Sequence, residues 1–206
     1  MAPRSASAPA RAGARTREAI LDAALAVWSR DRTATLADVA EVAGVHRSTV
    51  HRGFADRAGL VDALVRRCVD EVVAATRAAE LDRGRAAPAV RRTATALLHV
   101  GDRIRFLYDD PETARHPAMA LLDAPDSPLA AVVRRAQAEG GVDPGVPPAW
   151  VERVVWSLVY AASEAVQDGV LTTHEALEAL QRTLGPGLLS PPQGDPGGRR
   201  RGPEAP

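Results

Sequence analysis

Residues 35–54 read TLADVAEVAGVHRSTVHRGF. Thr35 can cap a short helix, Leu36 to Ala43, by accepting a hydrogen bond from a free backbone N–H. Ala40 is small and faces inward, which lets a second helix cross closely. Gly44 follows the helix end, where a left-handed conformation is needed and glycine carries no Cβ penalty. Val45 plugs the corner. A second helix then runs from about Arg47 to Phe54, with Val50 and Phe54 inward and Arg47, Ser48, Thr49, His51 and Arg52 outward. Two helices crossing steeply at a glycine turn form a helix-turn-helix. The second of them fits the DNA major groove, where Arg, Ser and Thr reach bases and phosphates. An ordinary helical hairpin with a solvated arginine face shares this local pattern, so the surroundings must decide.

Those surroundings are helical. Ile20, Ala23, Ala24, Val27 and Trp28 recur at helical spacing, as do Val61, Leu64, Val65, Cys68 and Val72 on a long helix running to about Leu81. DRGRAAP, residues 82–88, interrupts the pattern, and a helix is expected from Ala89 to Tyr108. Pro111, Pro117, Pro125 and Pro128 cut the next stretch into short helices. After the turn cluster GGVDPGVPP comes a helix from Pro148 to Asp168, with proline in its first turn. The last helix runs from Thr173 to Leu184, capped by Thr172 or Thr173 and stopped by Gly185-Pro186-Gly187. Runs of β-branched residues with period 2 are absent, so the fold class is all-α. Residues 1–14 read as a disordered arm and 191–206 as a disordered tail, leaving a three-helix head over 15–60 and a helical body over 61–190.

The chain has 206 residues and a formal net charge of +0, with 46% hydrophobic residues. That apolar content excludes a chain disordered throughout, and no run is long enough for a transmembrane helix. The single cysteine, Cys68, can form neither an internal disulfide nor a cysteine zinc site, which suits a reducing cytoplasm. All 26 basic residues are arginine. Residues 1–67 carry 11 arginines against 7 acids, residues 68–190 carry 12 against 17, and residues 191–206 carry 3 against 2. Neutrality thus conceals a basic head on an acidic body, and the head is the region suited to an anionic partner.

From about Arg17 to Leu64 the sequence resembles the tetracycline-repressor (TetR) family of transcriptional regulators. The resemblance rests on REAILDAALAVW, ADVAEVAGV, RSTVHRGF and FADRAGL. RRAQAEGGVDPGVPPAWV and VYAASEAVQDGVL look like segments of actinobacterial members. The resemblance implies a helix-turn-helix head joined through a long fourth helix to a helical ligand-binding and dimerisation bundle. By position, it implies groove and phosphate contacts from Arg47, Ser48, Thr49, His51 and Arg52, a phosphate contact at Thr35, and another at Arg57, where the family usually has lysine. The sequence also departs from the family. His46 stands where a serine or threonine cap is usual, at a cost of about 1 kcal/mol. His51 takes the place of a tyrosine, and Gly53 weakens the helix end by roughly 1 kcal/mol against alanine. The SRDRTA link, residues 29–34, is shorter than usual and lacks the common glycine.

On the helix near 150–168, Val151, Val154, Val155, Leu158, Val159 and Ala162 form one apolar face, and Trp156, Tyr160 and Ser163 lie on another. A helix apolar on two sides must bury both. The resemblance implies that one meets a second copy in a four-helix dimer interface, which would set two recognition helices roughly 34–36 Å apart on double-stranded operator DNA. It also implies a pocket for a small-molecule effector, for which His99, Arg103, Phe106, Met119, Trp156 and Tyr160 are candidates.

Catalytic and metal motifs are missing from the sequence. His174-Glu175 lacks the second histidine of HExxH. Glu112 and His116 share a helix face without a second ligand pair. Neither a phosphate-binding loop nor GxGxxG is present, and no cofactor or metal is expected. The resulting expectation is a sequence-specific, homodimeric DNA-binding regulator, a repressor released by a small molecule, working in the cytoplasm at the nucleoid. A helical small-molecule-binding or interaction protein without operator binding is the alternative. Against it stands the retention of Thr49 and the arginines between Arg47 and Arg57.

Overall fold

The structure is a computed structural model that describes residues 8–122 and 127–188, with the side chains of 12–122 and 127–185. Helices α1 (Ala8–Trp28), α2 (Leu36–Val42) and α3 (Arg47–Gly53) form the head. Helix α4 (Arg57–Ala78) starts in the head and runs into the body, where α5 (Ala86–Leu98), α6 (Gly101–Tyr108) and α7 (Pro111–Ala114) follow. A 3-10 turn (Pro117–Leu121), α8 (Pro128–Ala138), α9 (Pro148–Gln167) and α10 (Thr173–Leu188) complete the body. No strand occurs among the described residues.

Helix α1 packs on α2, α4 and α6; α5 packs on α4, α8, α9 and α10; α6 lies between α4 and α9. A single buried cluster extends from Ile20 to Leu184, so the hydrophobic core continues across the expected head–body division at residue 60. Trp28, Leu64, Leu97, Phe106 and Leu184 are among its bulkiest sealed members. Cys68 belongs to it, and burial pushes its thiol up to about 12, so it is protonated packing.

Several expectations from the sequence need correction. Helix α1 begins at Ala8, so residues 8–14 are helical where a disordered arm was expected. Alanine is the best helix former, and Pro9 sits in the first turn, where its missing N–H costs nothing. Residues 1–7 and the expected tail, 191–206, lie outside the described residues. The expected stop at Gly185-Pro186-Gly187 does not end α10, which continues to Leu188. Proline in a last turn forfeits one hydrogen bond, while Leu184 and Leu180 hold the helix to the core. Thr172 is the cap of α10: it exchanges hydrogen bonds with Glu175 in both directions.

The helix expected over Ala89–Tyr108 is two helices, broken at His99-Val100. The second begins at Gly101, where α9 comes so close that it leaves no room for a side chain. A Cβ on Gly101 would lie 2.1 Å from Ser163 Oγ and 2.7 Å from Ser163 Cβ. Ser163, assigned from the sequence to the face of Trp156 and Tyr160, instead extends the buried stripe Val151, Val155, Val159 at i, i+4 spacing.

Candidate nucleic-acid interface

The helix-turn-helix assembles as its residue types require. Thr35 caps α2 in a capping box: its Oγ1 accepts from the Ala37 and Asp38 amides, and its own N–H and hydroxyl donate to Asp38 Oδ2 at 2.6 and 2.8 Å. These hydrogen bonds hold the Asp38 carboxyl below the usual carboxylate range. Gly44 adopts φ +63°, the left-handed conformation that ends α2, and the Val45 N–H returns to Ala40 O at 3.0 Å. Val39, Ala40, Val50 and Phe54 are all buried and join α3 to α2.

With Val50 turned inward, α3 presents Arg47, Ser48, His51 and Arg52 on one exposed face, while Thr49 is half-buried at its edge. Arg52 Nη2 donates to Thr49 Oγ1 at 3.3 Å, which steadies both side chains. The first turn of α3 has no acidic residue to repel a phosphate. The capping loss expected at His46 is partly made good: its Nδ1 lies 3.0 Å from Ser48 Oγ and accepts from the Ser48 amide at 3.4 Å. At the other end Arg17 of α1 compensates for Gly53. Its Nη1 donates to Gly53 O at 3.0 Å and its guanidinium lies 4.3 Å over the Phe54 ring. The sequence reading overlooked Arg17, because an arginine on an amphipathic helix carries no signal of its partner.

Arg57, for which a phosphate contact was expected, is engaged within the head. Both terminal guanidinium nitrogens donate to backbone carbonyls of the head itself, those of Ala34 and Arg32, and the group stacks 4.5 Å over Trp28. Thr35 is likewise occupied by its cap, although it remains exposed. The structure therefore gathers Arg47, Ser48, Thr49, His51 and Arg52 on α3, and turns Arg57 inward behind them.

The six pocket candidates do not line one cavity. His99 and Arg103 border an open cleft of about 690 Å³ between α1 and the α5–α6 junction, closed on the far side by Ser163, Val166 and Gln167. Arg103 is held there by Glu71 at 2.6 Å and Asp102 at 2.5 Å. Burial alone would raise the Glu71 carboxyl, but hydrogen bonds from Arg103 and Arg67 outweigh it and hold it low. Phe106 and Met119 are sealed in the core. Trp156 and Tyr160 are half-buried on α9, where the Tyr160 hydroxyl donates to Asp109 Oδ1, a bond that raises its pKa. The family resemblance suggested these side chains for a pocket, but sequence cannot say which inward spaces are filled. His116 Nε2 pairs with Asp62 at 3.0 Å across α4 and the 3-10 turn.

No profile of a known protein family matches the chain. The transcriptional repressor LfrR of Mycolicibacterium smegmatis is 38% identical over 180 residues, covering 87% of this chain and 93% of that protein. A crystal structure of the TetR-like regulator LfrR in complex with proflavine superposes with a TM-score of 0.71 at 36% identity, covering 87% of this chain and 99% of the other. The ketosteroid regulator KstR2 of Mycobacterium tuberculosis shares the fold at 20% identity and a TM-score of 0.67, over 82% of this chain and 90% of that one. A recognition helix with an open basic face, built on an all-helical body and joined to a repressor by this degree of identity along nearly the whole chain, places the protein in one family: it belongs to the TetR family of DNA-binding transcriptional regulators.

Proposed function

We propose that the protein reads a near-palindromic operator as a homodimer, with Arg47, Ser48, Thr49, His51 and Arg52 as its groove and phosphate contacts, and that a small molecule releases it. The observation that carries this reading is the α3 face, on which cationic and hydroxyl side chains stand exposed while Val50 and Phe54 anchor the helix from behind. Thr35, exposed at the start of α2, would approach the backbone beside them. The relative's complex with proflavine supports a small-molecule effector. The chemistry needed is binding rather than catalysis, and the protein would act on chromosomal DNA in the cytoplasm.

A gel-shift assay with duplexes from a random-site selection tests the DNA contacts. Arg47→Ala or Arg52→Ala should cost about 1–3 kcal/mol on the selected site where the side chain reads a base, and relax preference at that position. Equal losses on selected and random DNA would reassign the side chain to phosphate.

The dimer reading is supported by α9 and α10. Trp150 is 57% exposed, and Val154, Leu158 and Leu177 are only part-covered in a single chain. Light scattering should give a two-chain mass. A single-chain mass at the concentrations that bind DNA would overturn the dimer.

A further inference from the structure

Two of the departures from the family pattern, the short SRDRTA link and the arginine at position 57, meet in space. Arg57, at the first position of α4, holds the link by the Arg32 and Ala34 carbonyls. Trp28, beneath its guanidinium, donates from Nε1 to the same Ala34 carbonyl at 3.1 Å. Arg32 reaches the opposite way. Its Nη2 donates to Phe106 O at 2.5 Å, its guanidinium lies 4.2 Å over the Phe106 ring, and its Nη1 is 3.9 Å from Asp110 Oδ2.

Phe106 lies in the last turn of α6, where carbonyls lack helical partners and the helix dipole favours a cation. That end of α6 is itself anchored: Thr113 Oγ1 donates to Leu107 O at 3.0 Å, and Tyr160 of α9 bonds Asp109. The link is thus gripped from both sides by arginines whose planar forks each combine a stack with directed hydrogen bonds. Lysine, a point charge on a flexible stem, cannot reproduce that arrangement.

We propose that Arg57 and Arg32 are positioning residues for DNA recognition: they clamp the link between the start of α4 and the end of α6, so that the recognition helix keeps a fixed angle to the body and any movement of the end of α6 reaches the head directly. Neither guanidinium needs to touch DNA for this.

The test uses the full chain, titrated by fluorescence anisotropy onto a selected duplex over a range of KCl, with Arg57→Lys, Arg57→Ala and Arg32→Lys variants. The lysine variants keep charge and bulk and remain informative if the alanine variant does not fold. Each lysine variant should bind about tenfold more weakly, with the slope of log K against log salt unchanged. The double lysine variant should lose less than the product of the two, because both act on one link. Hydrogen exchange, which needs no DNA, should accelerate in residues 29–36 of both lysine variants and stay unchanged in α9. Wild-type binding by Arg57→Lys together with a slope lowered by about one in Arg57→Ala would make Arg57 a phosphate contact and overturn the clamp. Wild-type exchange of the link in Arg32→Lys would overturn it as well. Failure of the unaltered protein to select any duplex would instead count against the DNA contacts proposed above, leaving the exchange result to judge the clamp.

Discussion

Val50→Asp should unfold the head and abolish operator binding at every salt concentration. Val50 is fully buried, and its neighbours across the turn, Val39, Ala40 and Phe54, are apolar and nearly sealed. A carboxylate placed among them must either remain charged without a partner or take up a proton, and both options are costly. The expected loss is about 4 kcal/mol or more, at the high end for a single substitution and comparable with the whole stability of a small domain. Because α3 rests chiefly on α2, the damage should begin there. Hydrogen exchange should show α2 and α3 opening while α5, α8 and α9 stay protected. Relative to the unaltered protein at the same pH, the deficit should shrink as pH falls toward the raised pKa of the buried carboxyl, since protonation removes the charge. A variant that folds and binds normally would mean that this face of α3 is not the anchored one.

The head was legible in the sequence because its determinants are local. Thr35 caps within three residues, Gly44 supplies the one left-handed φ at the turn, and Val50 and Phe54 fall on one side of a short helix. Such features depend on neighbours a few residues away, which the sequence displays directly. Arg57 shows the opposite case. Its position and charge suggested a phosphate, but its partners come from residues 32 and 34, brought to it by tertiary packing. Arg17 and Arg32 were passed over for the same reason, although the unusual SRDRTA link did mark where something differed. The pocket candidates are dispersed for another reason. Helical spacing tells which side chains face inward, whereas a cavity is space that no side chain fills, and that depends on the volumes of several helices together. The α5–α6 break was equally illegible, since apolar spacing runs through it and the helix that crowds Gly101, α9, is remote in sequence.

That break leads to the other large effect expected. Gly101→Ala should destabilise the body by about 1–3 kcal/mol, because the new methyl would overlap Ser163 unless α6 and α9 move apart. The obstacle is specific. The Cβ would meet Ser163 Oγ at 2.1 Å and Ser163 Cβ at 2.7 Å, but Ser163 Cα only at 3.6 Å, an ordinary contact. Ser163→Gly removes both offending atoms. It forfeits a hydrogen bond to Val159 O within its own helix and costs roughly 0.5 kcal/mol in helix propensity, the difference between serine and glycine. The double variant Gly101→Ala/Ser163→Gly should therefore be more stable than the sum of its single losses allows, by a coupling of roughly 0.5–3 kcal/mol, measured by urea denaturation. Additive losses would show that the two helices do not touch at this point. The consequence should extend to DNA. Phe106 lies on the helix that Gly101 begins and the Asp109-Asp110 corner follows its end, where Asp109 bonds α9 and Asp110 pairs with Arg32 of the head. An α6 pushed off α9 shifts the surface on which Arg32 rests, so Gly101→Ala should also weaken operator binding, and Ser163→Gly should restore it together with stability.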